Sequence, residues 1–259
     1  MTSPGRWDAR LYLRFERERT RPSLDLVDRL ELRRPRTIVD LGCGPGNSTA
    51  VLRARWPAAI CTGVDASAEM LATARRSDRQ VRWVQADLRS WRPVGRVDLL
   101  FSNAALQWVP EHATLFPRLF GFLRRGGALA VQMPANTDEP YQRAVRELQR
   151  RADWRGFPTS GAGSFEVASC PEYYELLARR ASRIDLWETR YVHVLPGPRA
   201  VLDWTIGTGL RPWLEGLPDE RTRRRFVREY LRALRRVYPS HRGGVVLFPF
   251  LRRFVIAYR

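Results

Sequence analysis

The sequence predicts an α/β fold, a mainly parallel sheet flanked by helices, with a helical cap inserted before the last strand. Three observations predict it. From about residue 36, short apolar β-like runs alternate with helix-like segments. Those runs are apolar on both faces, as strands buried between two helical layers must be. Residues 198–238 then read as mainly helical, and the chain closes on the strand-like VVLFPFLRRFVIAYR.

The elements follow in order. An arginine-rich N-terminal segment, residues 1–35, precedes the alternation and is expected to fold over a site as a helical arm. The core, residues 36–135, carries strand candidates at 37–42, 59–65, 81–87, 97–103 and 128–134, with helices near 47–56, 67–76 and 111–124. Ser67 suits a helix N-cap, with Glu69 in the first turn. Gly126-Gly127 reads as a helix stop. A helix over 136–151 precedes a loop at 155–170 rich in Gly and Ser, then a helix at 171–181 and a strand at 183–194. The helical cap spans 197–240, broken at 207–212 and at Pro218, before one or two closing strands. The 259 residues form a single domain on this reading, one sizeable core with a smaller cap.

Composition narrows the function classes. No apolar run approaches the roughly 18 residues of a membrane helix, and MTSPGRWDARLYLRF lacks the apolar core of a secretory signal. Cytoplasmic residence without a membrane partner, and a monomer, are the expectations. Cys43, Cys61 and Cys170 are few and widely spaced, which suggests neither a disulfide framework nor a metal site. The net charge of +18 invites a nucleic-acid reading, but all 45 basic residues are arginine and none is lysine. Total exclusion of lysine fits GC-rich codon usage better than selection for a phosphate-binding face, so no nucleic-acid partner is expected. The cluster at 221–225, Arg-Thr-Arg-Arg-Arg, reads as a solvated helix face. The basic field would still concentrate an anionic substrate.

The stretch VDLGCGPGNST, residues 39–49, places three alternating glycines directly after an apolar strand. Glycine permits a tight turn and lets a ligand approach the backbone with no Cβ in the way. An ordinary strand-to-helix turn would also use glycine. The dinucleotide pattern G-x-G-x-x-G/A fits poorly, because its frame puts Asn47 where a small residue belongs. Asp65 ends the second strand, where its carboxylate could accept from both hydroxyls of a ribose or cap the next helix.

The observed D-x-G-x-G-x-G, from Asp40 through Gly42, Gly44 and Gly46, resembles the first motif of class I S-adenosylmethionine-dependent methyltransferases. Over almost its whole length the chain resembles the trans-aconitate 2-methyltransferase family. That resemblance rests on LYLRFERERTRP (11–22), SNAALQWVPEH (102–112), LAVQMPAN (129–136) and WTIGTGLRPWL (204–214) in addition to the glycine stretch. It implies a Rossmann-like class I fold, S-adenosyl-L-methionine as cofactor, and methyl transfer to a carboxylate of a small anionic acid, trans-aconitate. For the cofactor it implies Asp87 at the adenine amino group with the Leu88 N–H as a further donor, Met70 packed on the adenine, and Asn103 at the methionine part. Met70 reads equally as a core residue, and Asp87 as a turn residue.

The chemistry implied is consistent with the residues. A carboxylate with a pKa of roughly 4 is ionised near neutral pH and needs no general base. No nucleophile–base pair stands out, since His112, His193 and His241 lie far apart in sequence. A trianionic substrate does need cationic partners, and arginine binds carboxylates with two parallel hydrogen bonds. Arg211, flanked by Gly209, Leu210, Pro212 and Trp213, is the leading candidate; Arg19 and Arg21 on the N-terminal segment follow, joined by Tyr12. Trp108 could wall the acceptor pocket, and Tyr191 and His193 could donate hydrogen bonds. Rival readings are a methyltransferase for another small or carrier-bound acid, a nucleic-acid methyltransferase, and a binding protein that keeps the fold. Against the second, the fourth-strand segment Ser102-Asn103-Ala104-Ala105-Leu106 lacks both the Asn/Asp-Pro-Pro-aromatic run and a cysteine.

Overall fold

The computed structural model describes residues 15–157, 166–207 and 209–259, with Glu16, Arg211 and Pro212 described as backbone only. Helix α1 (Glu16–Asp28) leads into β1 (Thr37–Leu41), α2 (Asn47–Arg55), β2 (Ile60–Asp65), α3 (Ala68–Ser77), β3 (Arg82–Gln85) and β4 (Val97–Asn103). A 3₁₀ turn (Leu106–Trp108) precedes α4 (His112–Gly121), β5 (Leu123–Pro134), α5 (Pro140–Arg150), α6 (Cys170–Ala178) and β6 (Arg183–Leu195). Then come α7 (Pro198–Ile206), α8 (Arg211–Glu215), α9 (Glu220–Val237) and β7 (Val246–Tyr258). No described helix is long and apolar enough to cross a membrane.

The seven strands form one sheet in the order β3-β2-β1-β4-β5-β7-β6. Strands β1 to β5 pair in parallel, and β7 joins β5 antiparallel. The order reverses beside β1, the switch point at which open α/β sheets bind ligands. Ser67 caps α3 as expected, its Oγ accepting from the Met70 N–H at 3.3 Å.

Two sequence expectations need correction. The Gly126-Gly127 pair does not stop a helix at 124. Helix α4 ends at Gly121, β5 begins at Leu123, and the glycines sit in an irregularity where the register jumps from Val97↔Leu123 to Leu99↔Ala128. The approach is close there, since a Cβ on Gly127 would lie 2.8 Å from the Asp98 carbonyl oxygen. Strand β3 stops at Gln85, so Asp87 stands in a turn beyond the strand rather than at its end. Leu123 pairs with Val97, and both are buried in the same apolar cluster.

Contacts cluster into two units. One comprises residues 16–134, 166–189 and 252–259. Its apolar core lines the sheet face made by Val39, Leu41, Leu100, Leu129, Val131 and Val255, covered by Leu115, Phe116 and Leu119 of α4 and Tyr173 and Leu177 of α6. The other unit comprises Phe15 and residues 135–157, 190–207 and 209–251. Helix α9 packs there against α5 and α7. Phe226, Tyr230 and Leu234, spaced four apart, put one buried face on α9, and Trp154, Trp204 and Trp213 fill the core beneath. The expected 197–240 helical stretch thus belongs to a larger unit that includes α5 and the outer parts of β6 and β7. Residues 1–14 of the expected 1–35 arm lie outside the described residues.

Candidate active site

Strand register collects the predicted polar residues on one face. Asp40 pairs with Gly63 on β2 and Phe101 on β4, and Phe101 pairs with Ala130 on β5. Register partners project to the same side, and so do residues two further on. The next rung therefore carries Asp65, Asn103 and Gln132, and β7 contributes Phe254 opposite Gln132. The rung lies at the carboxyl ends of the parallel strands.

The glycine loop is held by acids from two strands. Asp40 is buried; its Oδ2 accepts from Ser48 Oγ at 2.7 Å and Thr49 Oγ1 at 2.6 Å. Its Oδ1 has no hydrogen-bond partner among the described residues. Burial pushes the Asp40 pKa up to about 6; the Thr49 and Ser48 hydroxyls oppose the shift and Asp65 adds to it. Asp65 accepts the Gly44 N–H at 2.9 Å with Oδ2 and the Ser67 N–H at 2.8 Å with Oδ1. Burial raises its pKa as well, against the backbone donors of Ser67, Gly44 and Ala66. A carboxylate has about four lone-pair sites, so at least one remains for a further ligand.

Gly42 and Gly44 serve different ends. Both have positive φ, +71° and +54°. A Cβ on Gly42 would lie 2.1 Å from Ala105 Cβ, so that glycine is needed for packing inside the protein. A Cβ on Gly44 would meet nothing among the described residues within 4 Å, so the backbone there faces open space among them. Ala104, between Asn103 and Ala105, has φ +55°, an uncommon conformation for a residue with a side chain. Its N–H donates to the Gln132 carbonyl at 2.9 Å, and its own carbonyl accepts from Gln107 Nε2 at 2.8 Å. The strained bend thus sets Ala105 against the glycine loop.

The remaining predicted residues are placed as follows. Asn103 Nδ2 donates to the Arg19 carbonyl at 3.5 Å, and its Oδ1 is a buried acceptor with no partner among the described residues. Arg19 is buried on α1 while Arg21, roughly 200° around the helix, is exposed, so the structure does not bring the two guanidinium groups together. Met70 and Leu88 are buried, Leu88 within 3.9 Å of the position a Gly42 Cβ would take. The Asp87 carboxylate is held by Arg89, whose Nε donates at 3.0 and 2.8 Å; this pairing draws its pKa down. Trp108 is half-buried in the 3₁₀ turn.

In the other unit, Tyr191 and His193 are buried on β6 in an aromatic cluster, with His193 stacked on Trp204 at 5.0 Å and Phe248 and Phe250 alongside. Arg211 opens α8, and its side chain lies outside the described residues, as does Tyr12 entirely. His112 has both ring nitrogens engaged, by Tyr173 Oη at 2.7 Å and the Leu106 carbonyl at 2.9 Å, and His241 is exposed.

Sequence reasoning missed Ser48, Thr49, Ala104 and Gln132. The two hydroxyls lie within the quoted glycine stretch, so their spacing from Asp40 was a usable signal. The Ala104 bend and the burial of Gln132 had none.

The comparisons with known proteins fit this geometry. Residues 38–127 match the family described as a methyltransferase domain. The chain is 47% identical over 256 residues to the trans-aconitate 2-methyltransferase of Azoarcus sp. strain BH72, covering 98% of this chain and 99% of that one. It is 42% identical over 254 residues to the trans-aconitate 2-methyltransferase of Escherichia coli strain K12, covering 98% of each. Among solved structures, the YcgJ protein of Bacillus subtilis superposes with a TM-score of 0.60 at 16% identity, over 92% of this chain and 99% of that one. Haemonchus contortus phosphoethanolamine N-methyltransferase 2, in complex with phosphomonomethylethanolamine and S-adenosylhomocysteine, superposes with a TM-score of 0.56 at 16% identity, over 92% and 52%.

Proposed function

The chain belongs to the trans-aconitate 2-methyltransferase family, and from that premise we propose that it transfers a methyl group from S-adenosylmethionine to a carboxylate of trans-aconitate. The products are the monomethyl ester and S-adenosylhomocysteine. The observation that carries the reading is the identity of 47% along virtually the entire chain to an enzyme of that name.

The residues present suit the cofactor. Open space at Gly44 admits a ligand against bare backbone. Asp65 keeps lone pairs for ribose hydroxyls, and the unpartnered Asn103 Oδ1 is an acceptor suited to an ammonium group. Asp40 and Asp65 supply negative charge for a cationic ligand. Met70, Asp87 and Leu88 are assigned to the adenine; Asp87 must share its carboxylate with Arg89 to serve there. When bound, S-adenosylmethionine supplies an electrophilic methyl group on a sulfonium.

The chain's own part is positioning. The acceptor carboxylate arrives ionised, so no side chain has to remove a proton. That fits the histidines, of which His112 is fully engaged and His241 exposed. Holding an oxygen in line with the methyl can supply roughly 7–11 kcal/mol of barrier reduction, and excluding water strengthens every charge interaction around it. For the substrate we assign Arg211, Arg19 and Arg21 to the carboxylates, with Tyr12, Trp108, Tyr191 and His193 as secondary contacts.

The test is direct. The purified chain is incubated with S-adenosylmethionine and either trans-aconitate, cis-aconitate, citrate or a carrier-bound malonyl group, and esters are read by mass spectrometry. A monomethyl ester of trans-aconitate, formed fastest of the set, is the expected result. Faster methylation of another acid would shift the reading to that acceptor.

A further inference from the structure

The glycine loop is braced at Gly42 by Ala105, and an indole braces its other end. Trp83 on β3 is the register partner of Gly63 on β2, which in turn is the partner of Asp40 on β1. Trp83 and Asp40 therefore project to the same side of the sheet, with a bare position between them. The half-buried indole lies across that position: a Cβ on Gly63 would stand 2.3 Å from Trp83 Cζ3 and 2.4 Å from Cε3. The ring reaches on to the loop, where a Cβ on Gly46 would lie 3.1 Å from Trp83 Cη2. Gly46 is the residue on which loop and helix join. Its N–H donates to the Cys43 carbonyl at 3.0 Å, and its carbonyl accepts the Ala50 N–H of α2 at 2.9 Å. The indole is itself fixed, since Nε1 donates at 2.8 Å to the carbonyl of Asp78, which caps the C-terminus of α3. Ala74 and Ser77 of α3 flank the same Gly46 position at 3.6 Å, and the Asp78 carboxylate pairs with Arg53 of α2 at 3.2 Å.

Two of the three loop glycines thus rest on protein, Gly42 on the β4 bend and Gly46 on Trp83, with Gly44 suspended between them. Resting on the reading that S-adenosylmethionine lies against the Gly44 backbone, we propose that Trp83 is a positioning residue for the cofactor. It sets the place of Gly46, and through it that of Gly44 relative to Asp65, whose Oδ2 accepts the Gly44 N–H. Trp83 acts from beneath the loop and through it. A fused ring suits that task, because it spans a long distance with few torsions to freeze. Its one polar atom is spent on Asp78, as a partly buried indole N–H requires, so it does not compete for the hydrogen bonds of the loop. Glycine at 63 clears the path for the ring, and glycine at 46 lets the loop settle on its far edge.

The test pairs calorimetric titration with S-adenosylhomocysteine, well below Tm, with circular-dichroism melts, so it does not depend on the acceptor. Trp83→Leu keeps an apolar group over Gly63 but withdraws the atoms that reach Gly46. The Kd of the folded variant should rise about fivefold or more. Gly63→Ala leaves Trp83 and the loop sequence intact but drives the indole out of its place, so it should lower Tm and raise Kd together. Combining the two changes removes the collision: Tm should return most of the way to the wild-type value, while Kd stays raised about fivefold or more. A residue that merely packs would restore both together, and that result overturns the proposal. So does a wild-type Kd in folded Trp83→Leu. If Trp83→Leu alone does not fold, the double variant decides. Gly44→Ala tests the premise separately. Normal binding there overturns the placement of the cofactor, and the role of Trp83 with it; impaired binding there with normal binding in Trp83→Leu overturns the role of Trp83 alone.

Discussion

Replacing Gly42 and Gly44 in turn by alanine separates packing from ligand binding within one five-residue loop. At Gly42 the new Cβ would lie 2.1 Å from Ala105 Cβ, where carbon atoms settle at about 3.5–4.0 Å. Neither side can yield cheaply: Ala105 is set by the Ala104 bend, and Gly42 N–H is tied to the Val64 carbonyl at 2.7 Å. Left-handed backbone adds roughly 1–2 kcal/mol, and forcing a methyl into a packed interior about 1–3 kcal/mol. The sum is about 2–5 kcal/mol, which for a chain of this length lowers Tm by roughly 4–20 °C. At Gly44 the added methyl enters open space, so only the left-handed penalty of roughly 1–2 kcal/mol applies. The methyl occupies the place assigned to the cofactor, so the Kd for S-adenosylhomocysteine should rise at least tenfold. Circular-dichroism melts and calorimetric titration read the two effects. A further variant, Gly42→Ala with Ala105→Gly, removes the colliding methyl and should recover most of the lost Tm, leaving the backbone penalty. Gly42→Ala melting like wild type, or Gly44→Ala binding the ligand normally, would refute the division of roles.

Three other perturbations test neighbouring groups. Asp65→Asn turns one acceptor into an N–H2 that faces either the Gly44 or the Ser67 N–H; cofactor affinity should fall at least tenfold, and an unchanged Kd would remove Asp65 from the ribose role. Asp40 titrates near 6 in the fold against 3.8 unfolded. Because the folded value is the higher, its contribution is present below pH 4 and is lost as pH rises through 6, on the order of 3 kcal/mol in all. A cationic cofactor favours the ionised form, so its affinity should increase from pH 5 to 7.5. Asp40→Asn should flatten both profiles, and profiles identical to wild type would place the titration elsewhere. Arg211→Ala should raise KM for trans-aconitate or lower kcat while leaving S-adenosylhomocysteine affinity nearly intact; unchanged kinetics would take Arg211 out of the site.

The parts of this protein that could be read from sequence are those where local chemistry and fold agree. The glycine loop, the strand-end Asp65 and the Ser67 cap follow from backbone rules that act within a few residues, and the structure places each where those rules put it. The Gly126-Gly127 pair misled because glycine serves two purposes. It can end a helix, but here it lets β5 pass close to the Asp98 carbonyl, a constraint set by a strand some 30 residues earlier. Asp87 misled in a similar way: apolar composition ran past the strand, while Arg89 folded back to hold the carboxylate in a turn. Long-range pairing carries information that a local window lacks.

Charge shows the same limit in the opposite direction. A net charge of +18 dominates the composition, yet the arginines account for it mostly by lying on the surface. Arg224 pairs with Glu220 along α9 in an exposed link of the kind that contributes little stability, and Arg225 pairs with the half-buried Glu229. Two consecutive arginines on β7 show how placement differs: Arg253 pairs with Glu188 on one face, and Arg252 donates to the Gln132 side-chain oxygen on the other. The same residue type, one position apart, acquires a different meaning because a strand alternates its faces. Total charge therefore bears on how fast an anion arrives, and register bears on where it can be held.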